Sequence, residues 1–381
     1  MNQSNLKKLQ NLLKEKDTDI FVINRSDEYL NEYISPNAER LNFITNFSGS
    51  AGRAIITPTD AFLYVDGRYT FQANTQINAK EIQAKHLNSF WTDLEKILLE
   101  EEYKIALDPT LHSIIEIEKV EKMLENSTSQ LQLIDKNFVD LIWENQPKTQ
   151  YTDIFDHPTS FAGQGRREKL DILKKFLDQN EIDHYFVSGL DNIAWLLNLR
   201  ADDIKYTPLL YSYLLISKNN KHSLYIKESS MPEILKKEIQ TLININNIEN
   251  IGSIFNNINS SESIGLDFNS TTFYFLDLLR KQKINTKNLA NPCILLKAIK
   301  NETELDGAKK AHIRDGVSIT KYIYWLKNIM DPKSNDEISV AQHLESLRRK
   351  NELFHSLSFD TISAIDKNAA LRSEEHTSEL Q

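Results

Sequence analysis

The chain has 381 residues, a formal charge of −9 and a pI near 5.6, with 40% hydrophobic and 26% charged residues. This length suits two or three domains, and the ordinary globular balance argues against wholesale disorder. The acidic charge argues against a nucleic-acid partner, which would require clustered basic residues. A single cysteine, Cys293, leaves no intramolecular disulfide and no cysteine-rich zinc site, and we expect it to be a small buried apolar residue.

The chain begins in an amphipathic pattern in which Leu6, Leu9 and Leu13 share one helical face. This stretch has no apolar signal core, and no segment approaches the roughly 18 apolar residues of a membrane span. We therefore expect a cytoplasmic protein that has no membrane partner.

The order helix, buried strand and hairpin occurs twice, with the copies about 165 residues apart. In the first copy the helical stripe of Leu6, Leu9 and Leu13 precedes the strand 19–23 and the hairpin 53–57/61–65. In the second, Leu170, Leu173, Phe176 and Leu177 precede the strand 183–187 and the hairpin 213–216/223–226. The pattern predicts an α/β fold with a domain duplication: a first domain over 1–146 and a second over 167–289.

Turn-forming residues separate these units. The segment 147–166 is rich in them and is predicted to be a linker, and a second boundary falls near Pro292. An incomplete third domain is then predicted over 290–371. It starts with a long helix capped by Asn301 and Glu304, whose shared face is Ala308, Ala311, His312, Asp315, Ile319, Tyr322, Ile323 and Leu326. A further helix is predicted after Pro332, and its inward face is predicted to consist of Ile338, Ala341, Leu344 and Leu347.

Two short motifs in the first domain invite a functional interpretation. Gly49-Ser50-Ala51-Gly52 lacks the Lys-Ser/Thr of a phosphate loop and precedes a strand, so glycine-enabled tight turning explains it better. Asp66-Gly67-Arg68-Tyr69 ends the first hairpin and opens toward a helix at Phe71. We expect Asp66 to cap that turn and Arg68 to pair locally, which is a structural role.

Three histidines near the end of the chain, His312, His343 and His355, could suggest a metal site. His312 has no Asp or Glu beside it at ligand spacing, His343 lies on a predicted helix with charged neighbours, and His355 falls in a polar loop, so a structural role is expected for each. Asp315 lies on the same helical face as His312 and needs a partner if that face is buried. The sequence shows no nucleophile elbow, HExxH or Walker motif, so we name no catalytic, metal-ligating or cofactor-binding residue.

Taken together and in order, several segments closely resemble the Xaa-Pro aminopeptidase (aminopeptidase P) family of three-domain type. The resemblance covers nearly all of residues 1–371. One departure is Ala201, where the family usually has glycine after Leu-Arg. The matching segments are 32–34, 40–52 and 65–69 in the first unit, 191–200, 203–204 and Pro208 in the second, and 297–301, 311–316 and 359–363 in the third.

This resemblance implies two creatinase-like mixed-sheet α/β domains followed by an α+β pita-bread catalytic domain. It also implies a site for two divalent metal ions, usually manganese, held by two Asp, one His and two Glu. A metal-bridging water then attacks the bond before a penultimate proline, so peptides with proline second are the expected partners. Homodimers are common in the family.

None of those ligands can be assigned here, because all would lie downstream of the segment 359–370. Arg372 and Ser373 stand where the family has a His-Tyr pair. Residues 372–381 resemble the translation of a sequencing-adapter oligonucleotide, and we exclude them, together with Glu374, Glu375, His376 and Glu379. We expect an inactive fragment of a longer enzyme that binds no metal cofactor itself. The alternatives are a creatinase or prolidase, which normally carry one such N-terminal domain, and a non-catalytic pita-bread homologue that binds proteins.

Overall fold

The computed structural model describes residues 4–219, 221–365 and 368. Its first domain contains a six-stranded mixed sheet with strand order β4-β3-β2-β1-β5-β6. The β1–β2 and β2–β3 pairs are antiparallel, and the other pairs are parallel. The strands are β1 (Ile20–Asn24), β2 (Gly52–Ile56), β3 (Ala61–Val65), β4 (Gln83–His86), β5 (Lys104–Leu107) and β6 (Gln130–Leu133).

Helices cover both faces of this sheet, as parallel crossovers require. The α1 helix starts where the Ser4 side chain accepts a hydrogen bond from the Lys7 amide, and its buried stripe is the predicted Leu6, Leu9 and Leu13. The helices are α1 (Asn5–Glu15), α2 (Arg40–Thr45), α3 (Thr70–Gln76), α4 (Phe90–Glu100), α5 (Ile114–Leu124) and α6 (Phe138–Ile142).

The predicted linker contains two short elements, β7 (Phe155–Asp156) and α7 (Thr159–Ala162), which lie against the second domain. β7 pairs with β9 (Leu199–Arg200), and the Ile154 amide donates to the Ser230 carbonyl over 2.7 Å. The predicted domain boundaries at 146, 166 and 289 stay predictions.

A second six-stranded sheet has the order β12-β11-β10-β8-β13-β14, and its pairings match those of the first sheet strand for strand. The predicted duplication of the α/β unit is therefore confirmed. Its strands are β8 (His184–Val187), β10 (Tyr213–Ser217), β11 (Ser223–Ile226), β12 (Asn244–Asn247), β13 (Ser263–Leu266) and β14 (Asn285–Asn288). Its helices are α8 (Arg166–Gln179), α9 (Leu190–Leu197), α10 (Glu233–Gln240), α11 (Phe273–Lys281) and α12 (Pro292–Ala298).

The two domains meet through the amino-terminal ends of equivalent helices. Ser113 and Thr272, which cap α5 and α11, form an antiparallel bridge. The Ile114 amide donates to the Thr271 carbonyl, and the Phe273 amide donates to the His112 carbonyl, each over 3.0 Å. This reciprocal exchange resembles the twofold contact of an isologous dimer within one chain.

Buried side chains from both domains form one continuous cluster behind that contact. Tyr29 of the first domain stacks between Tyr211 and Tyr213 of the second, with ring centroids 5.2 and 4.7 Å away. The Tyr213 hydroxyl donates to the Glu28 carbonyl over 3.1 Å. The shared cluster ties the stability of one domain to the other.

Two long helices follow the second domain: α13 (Glu302–Asn328) and α14 (Glu337–Arg348). Asn301 caps α13 as predicted, because its side chain accepts from the Glu304 amide and Glu304 accepts from the Asn301 amide. The predicted inward face of α14 is wrong at Ile338, which is 67% exposed. No described element lies over that part of the helix, so the periodicity of α14 has no partner surface here. Among the described residues, no helix combines the length and apolarity needed to cross a membrane.

Limited proteolysis is expected to remove about the last quarter of this chain. Of the described residues in α13 only Ser318 is buried, and Ile313 and Ile329 are more than 60% exposed. Helices without packed faces open locally at low cost and are cleaved first. We expect a stable product ending near residues 290–300, measured by mass spectrometry. Protease resistance of the segment after residue 300 in the monomeric chain would contradict this.

Candidate functional site

A cleft of about 890 Å³ lies where the two domains and the segment after α14 meet. The first domain supplies the loop 32–36 after β1, the loop 48–50 before β2 and the turn 68–69 after β3. The second domain supplies residues 202–206, and the segment 359–363 lies along the same opening. Five stretches that are distant in sequence therefore line one surface.

These stretches overlap the segments on which the sequence resemblance depends. The sequence predicted separate local roles for the Gly49 loop and the Asp66 turn, and the segment 359–363 was noted only as part of the resemblance. The fold brings the residues that follow β1 and β3, and those that precede β2, to the same end of the first sheet. All of these residues lie at the ends of predicted strands, and that shared position is the feature of the sequence that could have indicated their proximity.

The Asp66 turn is built as predicted. The Asp66 side chain accepts from the Arg68 amide over 3.1 Å and from Arg68 Nε over 2.8 Å. That hydrogen bond raises the pKa of the Arg68 guanidinium, which also lies 5.7 Å from the centre of the Tyr69 ring. The ion pair with Asp66 holds the Arg68 guanidinium in position at the cleft wall.

The Gly49 loop is shaped by close packing against aromatic rings. A Cβ atom at Gly49 would come within 2.2 Å of the Phe47 ring, so only glycine fits without a shift of that ring. The next side chain, Ser50, shares a 2.5 Å hydrogen bond with the Tyr69 hydroxyl. The loop leads into strand β2, which agrees with the prediction that it is not a phosphate loop.

Aromatic contacts join the far side of the cleft to the segment after α14. Tyr33 makes edge-on contacts with Tyr206 and Phe359, at centroid distances of 6.1 and 6.4 Å. The Tyr206 hydroxyl donates to Asp360 Oδ1 over 2.7 Å. Each domain therefore holds part of the segment 359–363 in place.

Two carboxylates of the cleft, those of Asp203 and Glu39, are engaged in structural contacts. Burial raises the pKa of Asp203, which nonetheless accepts hydrogen bonds from the Thr152 amide, the Thr152 hydroxyl and the Tyr211 amide. Burial likewise raises the pKa of Glu39, and the opposing charge of Arg25, 3.0 Å away, partly offsets it. These acids organise loops and are not arranged as a catalytic pair.

The three histidines considered for a metal site lie in separate surroundings, and each has a structural contact. His312 Nδ1 pairs with the Ala308 carbonyl of its own helix at 2.8 Å. His343 stacks on Trp325, with 3.9 Å between ring centroids, and His355 Nε2 lies 2.7 Å from Asp202 Oδ1. These contacts agree with structural roles, which stay predictions.

Asp315 of α13 forms an ion pair with Arg348, so this carboxylate has the partner that the sequence analysis looked for. Arg348 of α14 donates to it through Nε over 2.7 Å and through Nη2 over 3.2 Å. This two-point ion pair joins α13 to α14.

The part of the chain that the structure describes does not fit a two-metal centre. Within residues 4–219, 221–365 and 368, no three His, Cys, Asp or Glu side chains are grouped so that they could hold a metal ion. The segment 372–381, excluded above with its His376, lies outside the described residues. We therefore assign no metal ligand and no catalytic step to the residues of this chain.

Comparison with known proteins places both domains in one family. Residues 5–136 and 145–304 each match a model described as the creatinase/prolidase N-terminal domain. This chain belongs to the creatinase/prolidase family, and the predicted fold of two creatinase-like domains is confirmed.

Its relatives over nearly its whole length are Xaa-Pro aminopeptidases, as the motifs indicated. The protein named "Probable Xaa-Pro aminopeptidase P" of Paracoccidioides brasiliensis (strain Pb03) is 33% identical over 388 residues, covering 96% of this chain and 62% of that protein. The protein of the same name from Neosartorya fischeri is 34% identical, covering 96% of this chain and 58% of its own length. The chain thus spans about three fifths of the length of these relatives.

A solved structure shares the fold. The X-prolyl aminopeptidase from Caenorhabditis elegans, described as a cytosolic enzyme with a di-nuclear active site, superposes with a TM-score of 0.88 at 24% identity. The match covers 96% of this chain and 63% of that one. The shared fold therefore extends beyond the two creatinase-like domains to the helices that follow them.

Proposed function

We propose that this chain is the amino-terminal part of a metal-dependent Xaa-Pro aminopeptidase, which removes the first residue of peptides whose second residue is proline. The observation that carries the proposal is the similarity to Xaa-Pro aminopeptidase P over 96% of the chain, through both N-terminal domains and into α13 and α14. A cytoplasmic location and a pair of divalent ions, manganese by preference, belong to the same proposal. The di-nuclear, cytosolic description of the C. elegans enzyme supports these features.

In this proposal the described residues act as a scaffold and as one wall of the substrate entrance. The cleft presents the paired Arg68 and the aromatic rings of Tyr33 and Tyr206 beside the segment 359–363. In the proposal, the remainder of the catalytic domain would follow this segment in the sequence. The residues that line the cleft would contact substrate or orient the third domain, and the metal chemistry would depend on residues outside the described part.

The 381-residue chain is expected to bind manganese weakly and to cleave no Xaa-Pro peptide. Two-metal hydrolysis needs several carboxylates that hold two cations about 4 Å apart, and the described residues offer no such group. A chain extended to the length of the relatives should bind manganese tightly and cleave the Xaa-Pro peptide. Manganese titration calorimetry and release of the first residue from an Xaa-Pro tripeptide measure the two properties, with an Xaa-Ala tripeptide as the matched control.

Each outcome of this comparison has a definite meaning. Metal-dependent turnover by the 381-residue chain would contradict the assignment of the ligands to a missing part. An extended chain that binds no manganese would favour the non-catalytic, protein-binding homologue. Cleavage confined to Xaa-Pro dipeptides would instead identify a prolidase. Homodimer formation stays a prediction, which sedimentation of the extended chain would check.

A further inference from the structure

A tight turn of the second domain, residues 204–207, carries Tyr206 into the lining of the cleft. The Thr207 amide donates to the Ile204 carbonyl over 3.3 Å, and the same two residues form an antiparallel bridge. Ile204 is buried, and the preceding Asp203 accepts the hydrogen bonds described above. The base of the turn is therefore fixed to the second domain.

The backbone of Tyr206 has an unfavourable conformation. Its φ is +67°, which places a bulky residue in the left-handed region at the third position of the turn. Glycine or asparagine is the usual residue there, because a large side chain crowds the backbone in that conformation. Two helices of this chain, α2 and α9, end on asparagines in the left-handed region, Asn46 and Asn198. The turn itself therefore gives no reason for a tyrosine.

The Tyr206 side chain contacts each of the parts that meet at the cleft. Its hydroxyl donates to Asp360 Oδ1 over 2.7 Å, and its ring makes the edge-on contact with Tyr33 of the first domain. Lys205 Nζ lies 4.6 Å from the centre of the same ring. Strained backbone at a bulky residue is tolerated where the side chain has a task, and here the task is to reach across the gap between domains.

The segment 359–363 depends on contacts of this kind. It contains no helix or strand, and within the described part of the chain none of its residues takes part in a backbone–backbone hydrogen bond. Phe359 is 49% exposed and Ile362 is 50% exposed, so apolar burial holds the segment only weakly. The hydrogen bond from a phenol to the Asp360 carboxylate is charge-assisted and therefore stronger than one between neutral groups.

We propose that Tyr206 is a positioning residue of the peptidase. Its hydroxyl fixes Asp360, and through Asp360 the course of the segment 359–363 at the mouth of the cleft. The catalytic consequence rests on the proposed function, in which the remainder of the catalytic domain follows this segment in the sequence. The fixing of the segment itself is a property of the 381-residue chain and can be measured without any activity.

Chymotrypsin tests the fixing of the segment in the 381-residue chain. Tyr206→Phe keeps the ring and removes only the hydroxyl, so the initial rate of cleavage after Phe359, followed by mass spectrometry, should rise about threefold or more. Tyr103→Phe is the matched control, because it removes an exposed hydroxyl that donates to Glu101 over 3.3 Å, outside the cleft. This control should be cleaved at the parental rate. Equal rates for Tyr206→Phe and the parent would overturn the proposal.

A second variant, Tyr206→Asn, separates positioning from stability. Asparagine tolerates the left-handed conformation, so the midpoint of urea unfolding of the 381-residue chain should be unchanged or higher. Cleavage after Phe359 should nevertheless be faster than in the parent, because the phenol is gone. A lower midpoint would show that Tyr206 serves the stability of the turn, and it would overturn the positioning role.

The extended chain tests the effect on catalysis with an Xaa-Pro tripeptide. Tyr206→Phe and Asp360→Ala should each lower kcat about fivefold, the loss of one ordinary hydrogen bond, and leave KM nearly unchanged. The double variant should be no slower than either single variant, since both changes remove the same hydrogen bond. Asp360→Asn keeps an acceptor oxygen and should retain more of the parental kcat.

The kinetic outcomes distinguish this inference from the proposed function. A rise in KM alone would make Tyr206 a substrate contact, and additive losses in the double variant would break the link between Tyr206 and Asp360. Either result would overturn the inference while the extended parent remained an Xaa-Pro aminopeptidase. An extended parent without that activity would instead overturn the proposed function, and the cleavage rates of the 381-residue variants would still decide whether Tyr206 holds the segment.

Discussion

Replacing Phe275 by alanine is expected to lower the free energy of unfolding by about 3–5 kcal/mol, the usual cost of truncating a fully packed phenylalanine. Phe275 of α11 is 2% exposed. Its ring centre lies 4.4 Å from that of Phe186 and 4.9 Å from that of Tyr213. Tyr213 in turn stacks on Tyr29, so the cavity would open in the cluster that both domains share.

Urea unfolding followed by tryptophan fluorescence and circular dichroism measures this change. Phe71→Ala is the matched control, because Phe71 is 56% exposed and its loss should cost no more than about 0.5 kcal/mol. Because the core is continuous, Phe275→Ala should destabilise the first domain as well as the second. Hydrogen exchange that shows unchanged protection of β1 and β5 would contradict the coupling between domains.

The free energy of unfolding is also expected to fall as the pH is lowered from about 6.5 to about 4, in part through His222. Burial lowers the pKa of this histidine to about 4, with the Lys174 charge acting in the same direction and Asp171 opposing it. The folded state therefore binds the proton less well than the unfolded chain does, so the stabilisation is complete above pH 6.5 and is lost on acidification. The shift corresponds to roughly 3 kcal/mol.

A hydrogen bond explains why the folded state favours the neutral form of the His222 ring. His222 Nδ1 accepts a hydrogen bond from the Ser217 amide over 3.1 Å, and a protonated ring cannot accept it. His222→Asn keeps an acceptor near that amide but does not titrate. Its stability should therefore vary less between pH 6.5 and pH 4 than that of the parent, by up to about 3 kcal/mol. His312→Asn, at an exposed position, should retain the parent slope. Identical slopes for the parent and His222→Asn would show that other buried groups cause the pH dependence.

Local elements were predictable from this sequence because each has its own chemical signature. The Leu6, Leu9 and Leu13 stripe, both hairpins and the Asn301 capping box all depend on residues close in the chain. The prediction that Ile338 faces inward was wrong, because burial does not depend on local sequence alone. Periodicity shows which residues could be buried, but burial also requires a second surface, and the described residues provide none over that part of α14.

The cleft could be recognised only in the folded chain. The Asp66 turn was predictable as a cap, yet its approach to the segment 359–363 depends on how two sheets and two long helices are placed. In the same way, Asn24 and Arg53 are 29 positions apart in the sequence and become neighbours through the β1–β2 register.

The reciprocal contact between α5 and α11 has a consequence for how this molecule responds to dilution. Two separate chains that met through such a surface would come apart at low concentration, and their stability would depend on how much protein was present. Here one covalent chain carries both halves, so each meets the other at an effective concentration in the millimolar range regardless of abundance. The paired arrangement is thereby available even to a protein that the cell makes in small amounts.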